Sequence, residues 1–166
     1  TDDNFGISVA FSNNGLLAVG AYYDDDNAQN NSGSVYLFSG SGTNWTQQTK
    51  LTASDAATDD NFGISVAFSN NGLLAIGANR DDDNGLATSG SVYLFSDSGT
   101  NWTEIKKLTA YDAAATDYFG VSVAFSNNGL LAIGAFGDNN YKGSVYLYDL
   151  PVKKEKTKKT KKKSLI

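Results

Sequence analysis

The stretch FGISVAFSNNGLLAVGA, residues 5–21, occurs three times with few changes. It returns as FGISVAFSNNGLLAIGA at 62–78 and as FGVSVAFSNNGLLAIGA at 119–135, with a spacing of 57 residues each time. Residues 1–57 and 58–114 differ at only 12 positions. A fixed period of this length is typical of repeat proteins in which each repeat is one supersecondary unit. The three copies therefore predict three similar structural units in tandem.

Each repeat contains four segments with the pattern of β-strands. In FGISVAFS, large side chains alternate with Gly, Ser and Ala, which predicts a strand with one large face and one small face. The small face suits a place where another sheet approaches closely. LLAVGA is nearly all apolar, which predicts burial on both faces. GSVYLFS (33–39) is rich in β-branched and aromatic residues, whereas WTQQTKLTA (45–53) is the most polar segment and is predicted to be the outermost strand.

The connection between the first two strands carries the strongest turn signal. It contains Asn14-Gly15, and an Asn-Gly pair favours a hairpin because both central positions accept a positive φ. No segment shows apolar residues at helical spacing with caps at both ends. Four antiparallel strands in sequence, repeated with a fixed period, predict the blade of a β-propeller. A β-sandwich with duplicated hairpins is the alternative.

The domain organisation follows from the repeats. We predict an all-β chain of three tandem four-stranded antiparallel blades, at residues 1–57, 58–114 and 115–150, followed by a lysine-rich disordered tail at 151–166. The third blade lacks its outer strand, because VYLYDL is followed by Pro151 and the tail. Three blades are too few to close a ring, for which four is the usual minimum. The open edge and faces predict self-association into a ring or array, unless the chain is part of a longer propeller.

Composition restricts the chemistry that the chain can perform. The 166 residues include no Cys, no Met and no His, which excludes disulfides, thiolate zinc sites and imidazole bases. The paired carboxylates of TDDN (1–4 and 58–61) are adjacent in the chain, so they are expected to form turns rather than an acid–base pair. We therefore expect no enzymatic activity. No apolar run reaches the 18 residues of a membrane span, so no transmembrane segment is predicted.

Charge divides the chain into an acidic body and a basic tail. Residues 1–150 contain 17 acidic and 5 basic side chains, whereas residues 151–166 contain 8 lysines and 1 glutamate. Such a tail is predicted to contact a polyanion: nucleic acid, an anionic membrane or an acidic protein surface, including the acidic body of another copy. Because the tail has no aromatic residue for base stacking, specific nucleic-acid recognition is not expected. The predicted contact residues are Lys153, Lys154, Lys158, Lys159, Lys161, Lys162 and Lys163.

These repeats resemble the FG-GAP repeat family, whose best-known members form the propeller at the head of integrin α chains. The resemblance is carried by Phe-Gly at 5–6, 62–63 and 119–120, by Gly-Ala at 20–21, 77–78 and 134–135, and by the strand GSVYLF or GSVYLY. It covers about residues 1–150, and the WT…KLTA strand is closest to the microbial variety. The resemblance implies a propeller used for adhesion and ligand binding outside the cell, and hence a secreted or cell-surface protein.

Two features depart from that family. The residue after Gly-Ala is Tyr22, Asn79 or Phe136 instead of proline. Many family members also carry an acidic calcium loop between the first two strands, and here that position holds only SNNG. Calcium binding therefore does not carry over to that position.

An acidic run occurs one loop later in each repeat. Carboxylate-rich loops supply the oxygen ligands that Ca²⁺ prefers, so Ca²⁺ is the one cofactor that the sequence suggests. The alternative is that these residues solvate the loop and form Asx-turns. The candidate ligands are Asp24, Asp25, Asp26, Asn27, Asp81, Asp82, Asp83, Asn84 and Asp138.

The residues beside the acidic run vary while their surroundings do not. Exposed Tyr and Arg are favoured in interfaces, so this loop is the predicted contact site for a protein partner, with drift in a tolerant loop as the alternative. The predicted contact residues are Tyr22, Tyr23, Asn79, Arg80 and Phe136. The function that these features favour is non-enzymatic binding, adhesion or structural assembly. The alternative is a lectin-like carbohydrate binder that uses its Tyr and Trp residues as platforms for a glycan.

Overall fold

The computed structural model describes residues 2–26, 28–99 and 101–150 and contains three separate antiparallel sheets. In the first two sheets the four strands lie in chain order. The first sheet contains β1 (Val9–Phe11), β2 (Leu16–Ala21), β3 (Ser34–Ser41) and β4 (Asn44–Leu51). The second contains β5 (Phe62–Phe68), β6 (Leu73–Ala78), β7 (Ser91–Asp97) and β8 (Trp102–Leu108).

The third sheet has three strands. They are β9 (Ser122–Phe125), β10 (Leu130–Ala135) and β11 (Ser144–Asp149), with β10 in the centre. The described residues also include a 3-10 turn at Asp83–Gly85 and a single helical turn, α1, at Asp138–Tyr141. Neither segment has the length or apolar character needed to cross a membrane. Within the described residues, the prediction of an all-β chain with two four-stranded blades and a three-stranded third blade is confirmed.

Two groups of predicted site residues are not covered by this description. Asn27, a predicted calcium ligand, lies outside the described residues. So do all seven lysines of the tail that were predicted to contact a polyanion.

The Phe-Gly pair forms an irregularity in the first strand of each blade. The first strand was expected to begin at Phe5, but β1 begins at Val9, and in the second blade the register shifts between Phe62 and Ser65. Gly6, Gly63 and Gly120 all have positive φ, at 96°, 93° and 89°. A glycine with positive φ is typical of a β-bulge, which interrupts the ladder and bends the strand. The alternation of side chains continues through the bulge, but regular pairing does not.

The first hairpin turn also differs from the expected type. Only Gly15 of the Asn14-Gly15 pair has positive φ, at 85°. The Ser12 backbone N–H donates to Leu16 O over 2.9 Å, and Leu16 N–H donates to the Ser12 side-chain oxygen over 2.8 Å. The connection is thus a longer turn closed by Ser12, with glycine at its left-handed position, as three-residue hairpin loops require.

The blades stack through two distinct faces of each sheet. The leading face points toward the preceding blade and, in the second blade, carries Phe62, Val66, Ile76 and Tyr93. The trailing face points toward the next blade and, in the first blade, carries Ala18, Val35, Leu37 and Leu51. These two sets form one buried core between the first and second blades. A second core of the same kind joins the trailing face of the second blade to the leading face of the third.

Glycine and serine allow the blades to approach closely. Ser8 Oγ donates a hydrogen bond to Gly63 O over 2.7 Å, and Ser65 Oγ makes the same contact with Gly120 O over 2.8 Å. A Cβ atom on Gly20 would lie only 2.0 Å from Gly63 O. The predicted small face of the first strand is therefore where the neighbouring blade's backbone passes, as expected.

Candidate functional site

The acidic run of the second blade packs against its two outer strands. Asp81 follows β6, and its carboxylate accepts a hydrogen bond from the Tyr93 hydroxyl of β7 over 3.1 Å. Lys107 of β8 lies opposite Tyr93 in the sheet, and its Nζ is 2.6 Å from Asp81 and 3.2 Å from Asp83. Asp55, from the preceding connection, accepts from both the Tyr93 hydroxyl at 2.7 Å and Lys107 at 2.8 Å. We use the name lysine clamp for the cluster formed by Lys107, Tyr93, Asp55, Asp81 and Asp83.

The first blade contains the corresponding lysine and tyrosine contacts, with two carboxylates instead of three. Lys50 Nζ of β4 is 3.1 Å from Asp24 and 3.0 Å from Asp26, and the Tyr36 hydroxyl donates to Asp24 over 2.5 Å. The ammonium group also lies 5.4 Å from the centre of the Tyr36 ring, within the range of a cation–π contact. The clamp is therefore a repeated element of this fold.

The clamp holds its members in fixed ionisation states. Burial opposes the charge of Lys107, but hydrogen bonds to Asp55 and Asp81 outweigh it and raise the lysine pKa. Burial also opposes ionisation of Asp55, and hydrogen bonds from Lys107 and Tyr93 prevail to lower the pKa of that carboxyl. Burial, followed by the charge of Asp81, raises the pKa of Tyr93, so its hydroxyl keeps its proton and donates.

The members of the acidic run have different roles. Asp25 Oδ1 accepts a hydrogen bond from Asn31 N over 2.9 Å, and Asp82 Oδ1 accepts one from Thr88 N over 2.6 Å. These two carboxylates thus fix the loop by accepting from backbone N–H groups six residues later, which is a longer span than that of an Asx-turn. Their neighbours Asp24 and Asp81 bind tyrosine and lysine instead.

The lysine ammonium occupies the position between carboxylates that the sequence suggested for a cation. In the described part of the chain, no group of three or more acidic side chains has an arrangement that could hold a metal ion. Asn84 is exposed and donates to Asp83 over 2.6 Å. The calcium site stays a prediction, and the contacts that these residues make are with lysine, tyrosine and backbone.

In the third blade the clamp is incomplete. The Tyr146 hydroxyl donates to Asp112 over 2.8 Å and to Asp138 over 3.2 Å, which reproduces the acceptors seen around Tyr93. Hydrogen bonds, the largest from Ser144, lower the pKa of the Asp138 carboxyl. Among the described residues no strand pairs with the outer edge of β11, and so no lysine faces Tyr146. As far as the structure describes the chain, the third blade has the tyrosine and two carboxylates of a clamp but no lysine beside them.

The variable residues beside the acidic run form small aromatic clusters in two blades. The rings of Tyr22 and Tyr23 lie 4.0 Å apart, and Phe136 stacks on Tyr118 at 4.7 Å. In the second blade Arg80 is exposed but Asn79 is buried, so Asn79 is less accessible to a partner than the sequence suggested.

Sequence reasoning missed the lysines and tyrosines of the clamp. Lys50 and Lys107 were part of a polar outer strand, and Tyr36 and Tyr93 part of an aromatic strand, with nothing local to connect them to the acidic run. One signal was present: the lysine recurs with the 57-residue period inside a segment where three of the preceding positions vary. The two tryptophans are also explained, because Trp45 packs on Phe11 and Trp102 on Phe68.

Comparison with known proteins agrees with this geometry. The family model of the FG-GAP repeat matches residues 1–38, 45–95 and 102–148. The first match covers the first three strands of the first blade. Each later match covers the outer strand of one blade and the first three strands of the next. A search of curated proteins finds no match to the chain.

Proposed function

Because the chain belongs to the FG-GAP repeat family, we propose that it is a non-enzymatic binding and structural assembly module that acts outside the cell through protein–protein contacts and self-association. Repeats of this family are consistent with propeller-type modules for binding and adhesion. The absence of His and Cys supports a role without catalysis. The engagement of the clamp carboxylates by lysine supports it too, since those carboxylates are committed to structure.

The observation that carries this proposal is the exposure of large apolar side chains at both ends of the stack. On the leading face of the first blade, Phe5 is 57% exposed, whereas the equivalent Phe62 is fully buried. On the trailing face of the third blade, Leu147 is 64% exposed, whereas the equivalent Leu94 is 2% exposed. Contiguous apolar patches of this kind mark interaction sites.

The two open faces are complementary to each other. The leading face of the first blade has the same kind of residues as the leading face of the second blade, which packs on the first blade. The trailing face of the third blade repeats Val92 and Leu94 as Val145 and Leu147. A second copy placed at the end of the stack would thus form a junction of the kind that already exists twice within the chain. Such head-to-tail contacts are heterologous and give a closed ring or an open array.

Self-association is tested by measuring the native mass of the wild-type chain and of variants in which one of the two faces carries a substitution that prevents packing. We expect the wild-type chain to form concentration-dependent oligomers in sedimentation velocity experiments. V9R blocks the leading face and L147R blocks the trailing face, and each is expected to be monomeric. Both positions are exposed in the single chain, so neither substitution should impair folding.

Mixing the two variants provides the decisive control. Each keeps one intact face, so an equimolar mixture is expected to form a 1:1 dimer and nothing larger. A wild-type chain that stays monomeric at all concentrations would refute self-association. Oligomers that persist in both variants would refute these faces as the contact.

A further inference from the structure

The third blade keeps the acceptor geometry of the lysine clamp. The Tyr146 hydroxyl donates to Asp112 Oδ1 over 2.8 Å and to Asp138 Oδ2 over 3.2 Å. The equivalent hydrogen bonds of Tyr93 in the second blade, to the same two oxygen positions, measure 2.7 and 3.1 Å. Among the described residues, no lysine or arginine forms an ion pair with Asp112 or Asp138. The two carboxylates are thus held as in a complete clamp, but without the counter-charge.

Carboxylates held in this way can bind a tyrosine and a lysine at the same time. In the second blade Lys107 Nζ lies 2.8 Å from Asp55 Oδ2 and 2.6 Å from Asp81 Oδ2, while the clamp tyrosine donates to both carboxylates. In the third blade, hydrogen bonds, the largest from Ser144, lower the pKa of the Asp138 carboxyl, so this group carries its charge at neutral pH. A cation beside the pair is therefore favoured by charge.

The same edge of the blade borders an open cavity with a volume of about 520 Å³. Its lining includes Asp112 and three tyrosines, among them Tyr111 and Tyr146. Tyr111 is 89% exposed, although its ring contacts that of Tyr146 at 5.6 Å. An aromatic wall beside carboxylates suits a lysine side chain, whose stem is apolar and whose head is cationic.

The backbone of β11 offers a further contact at this edge. In the first two blades an outer strand pairs with β3 or β7, whereas no strand among the described residues pairs with the outer edge of β11. In both complete blades the outer strand sets a lysine opposite the clamp tyrosine: Lys50 pairs with Tyr36, and Lys107 with Tyr93. Unpaired strand edges bind extended peptides by adding them to the sheet.

We propose that the outer edge of β11 binds an extended segment of a partner protein, and that a lysine of this segment contacts Asp112 and Asp138 beside Tyr146. The segment lies antiparallel to β11, and its lysine stem packs in the cavity against Tyr111. This proposal does not require self-association, because the contacts are with a strand edge and two loop carboxylates and not with the open faces of the stack.

Charge and the internal repeats both indicate the chemistry of the partner. Residues 1–150 contain 17 acidic and 5 basic side chains, so a basic segment is attracted to this part of the chain. The outer strands of the first two blades indicate which side chain fits, since Lys50 and Lys107 each bind carboxylates beside a tyrosine.

A peptide with the sequence of an outer strand tests the proposal. WTQQTKLTA, residues 45–53, pairs with β3 in the first blade, bulge included, and contains one lysine and no carboxylate. The peptide carries a neutral fluorophore at its N-terminus and an amide at its C-terminus, and fluorescence anisotropy measures its binding to the full wild-type chain. We expect saturable binding.

Two control peptides test whether the lysine is recognised at its position. One has the substitution Lys50→Met, and the other has Thr46 and Lys50 exchanged, which keeps composition and charge. Both should bind about tenfold more weakly, because each loses the charged hydrogen bonds to the two carboxylates. This comparison changes nothing in the protein, so it does not depend on the folding of any variant.

Variants of the chain locate the site. D112N/D138N keeps acceptors for the Tyr146 hydroxyl but loses both charges, and it should also weaken binding about tenfold. The matched control D2N/D59N removes two exposed carboxylates elsewhere and should leave the affinity unchanged. Carbodiimide coupling, which joins an amine to a carboxylate in contact with it, should link the peptide lysine to Asp112 or Asp138.

Three results would overturn the proposal. The first is the lack of saturable binding, and the second is equal affinity of the three peptides, which would mean that no lysine is recognised. The third is coupling of Asp112 or Asp138 to a lysine of the chain itself with none to the peptide, which would make the chain its own source of the cation.

Discussion

At the scale of single residues, the lysine of the outer strand contacts two of the carboxylates, Asp81 and Asp83, that the sequence suggested as calcium ligands. Lys107 Nζ lies within 3.2 Å of three carboxylates, and its side chain is 22% exposed. Removing the lysine from such a network leaves the carboxylates close together without a counter-charge. The clamp is therefore more sensitive to loss of its lysine than an exposed ion pair would be.

Replacement of Lys107 by Met tests this role. We expect K107M to lower the free energy of unfolding by about 2 kcal/mol, less than for a fully buried pair because water still reaches the site. K106M, at the exposed neighbouring position of the same strand, is the control and should change stability by less than about 0.5 kcal/mol. Urea unfolding followed by tryptophan fluorescence measures both. Equal effects of the two substitutions would mean that the clamp does not stabilise the fold.

Asp60 provides a prediction about pH. Burial raises its pKa to about 6, although a hydrogen bond from Ala57 N–H acts in the opposite direction. The folded pKa lies above the usual 3.8, so between about pH 4 and 6 the native state binds more protons than the unfolded state. The contribution of Asp60 to stability is thus fully present below this window and is lost as pH rises through it.

We expect the D60N variant to be free of the loss of stability that Asp60 causes as pH rises. At pH 7 the variant should be more stable than wild type by about 2 kcal/mol, and the difference should vanish near pH 3. D59N, at the exposed neighbouring position, is the control and should show no such pH-dependent difference. Thermal unfolding of the three proteins from pH 3 to 8 measures it. A gain in stability that is independent of pH would contradict this explanation.

At the scale of the strand, glycine in the second strand determines how closely two blades pack. A Cβ atom on Gly77 would lie 2.0 Å from the backbone oxygen of Gly120 in the next blade. At the equivalent Gly134 no blade follows among the described residues, and the nearest atom is the Ser122 hydroxyl oxygen at 2.4 Å, part of a side chain that rotates.

The two glycines therefore form a matched pair for alanine substitution. We expect G77A to lower the free energy of unfolding by about 3 kcal/mol, because a backbone must move. G134A should cost less than about 1 kcal/mol, since only a serine rotamer has to change. Chemical denaturation of both variants measures the difference. Similar costs would show that the close approach between blades is not what requires glycine.

The fold was predictable from the sequence to a greater extent than the site. Alternation in FGISVAFS and the polar outer strand were local patterns, so the strands and their order were confirmed. The bulge at Gly6 and the Ser12-closed turn were not anticipated, because each depends on hydrogen bonds between neighbouring strands. The clamp was missed since Asp81, Tyr93 and Lys107 meet only when the sheet forms. Asp60 was interpreted as a turn residue because its burial depends on packing between blades.

At the scale of the whole molecule, the place of a blade in the stack decides what a given residue contributes. Leu94 and Leu147 occupy the same position in β7 and β11, yet only Leu94 is covered by a following blade. Residues at equivalent positions of the repeats therefore contribute differently to the free energy of unfolding, although the sequence alone gives them the same role.

Alanine substitution at these two leucines tests the idea. L94A should cost about 3 kcal/mol, the usual cost of a cavity in a core, whereas L147A should change the stability of the monomer by less than about 0.5 kcal/mol. Measurements at low protein concentration keep any association out of the comparison. A large cost for L147A at low concentration would mean that its face is already covered.

The second blade is packed on both faces, and this affects the order in which the blades unfold. The end blades each pack on one neighbour, whereas the middle blade packs on two. In a linear stack, stability is approximately a sum of unit and junction contributions, so the ends detach before the centre. Amide hydrogen exchange should accordingly be slowest in β6 and β7 and faster in β2 and β10, although the three blades have nearly the same sequence.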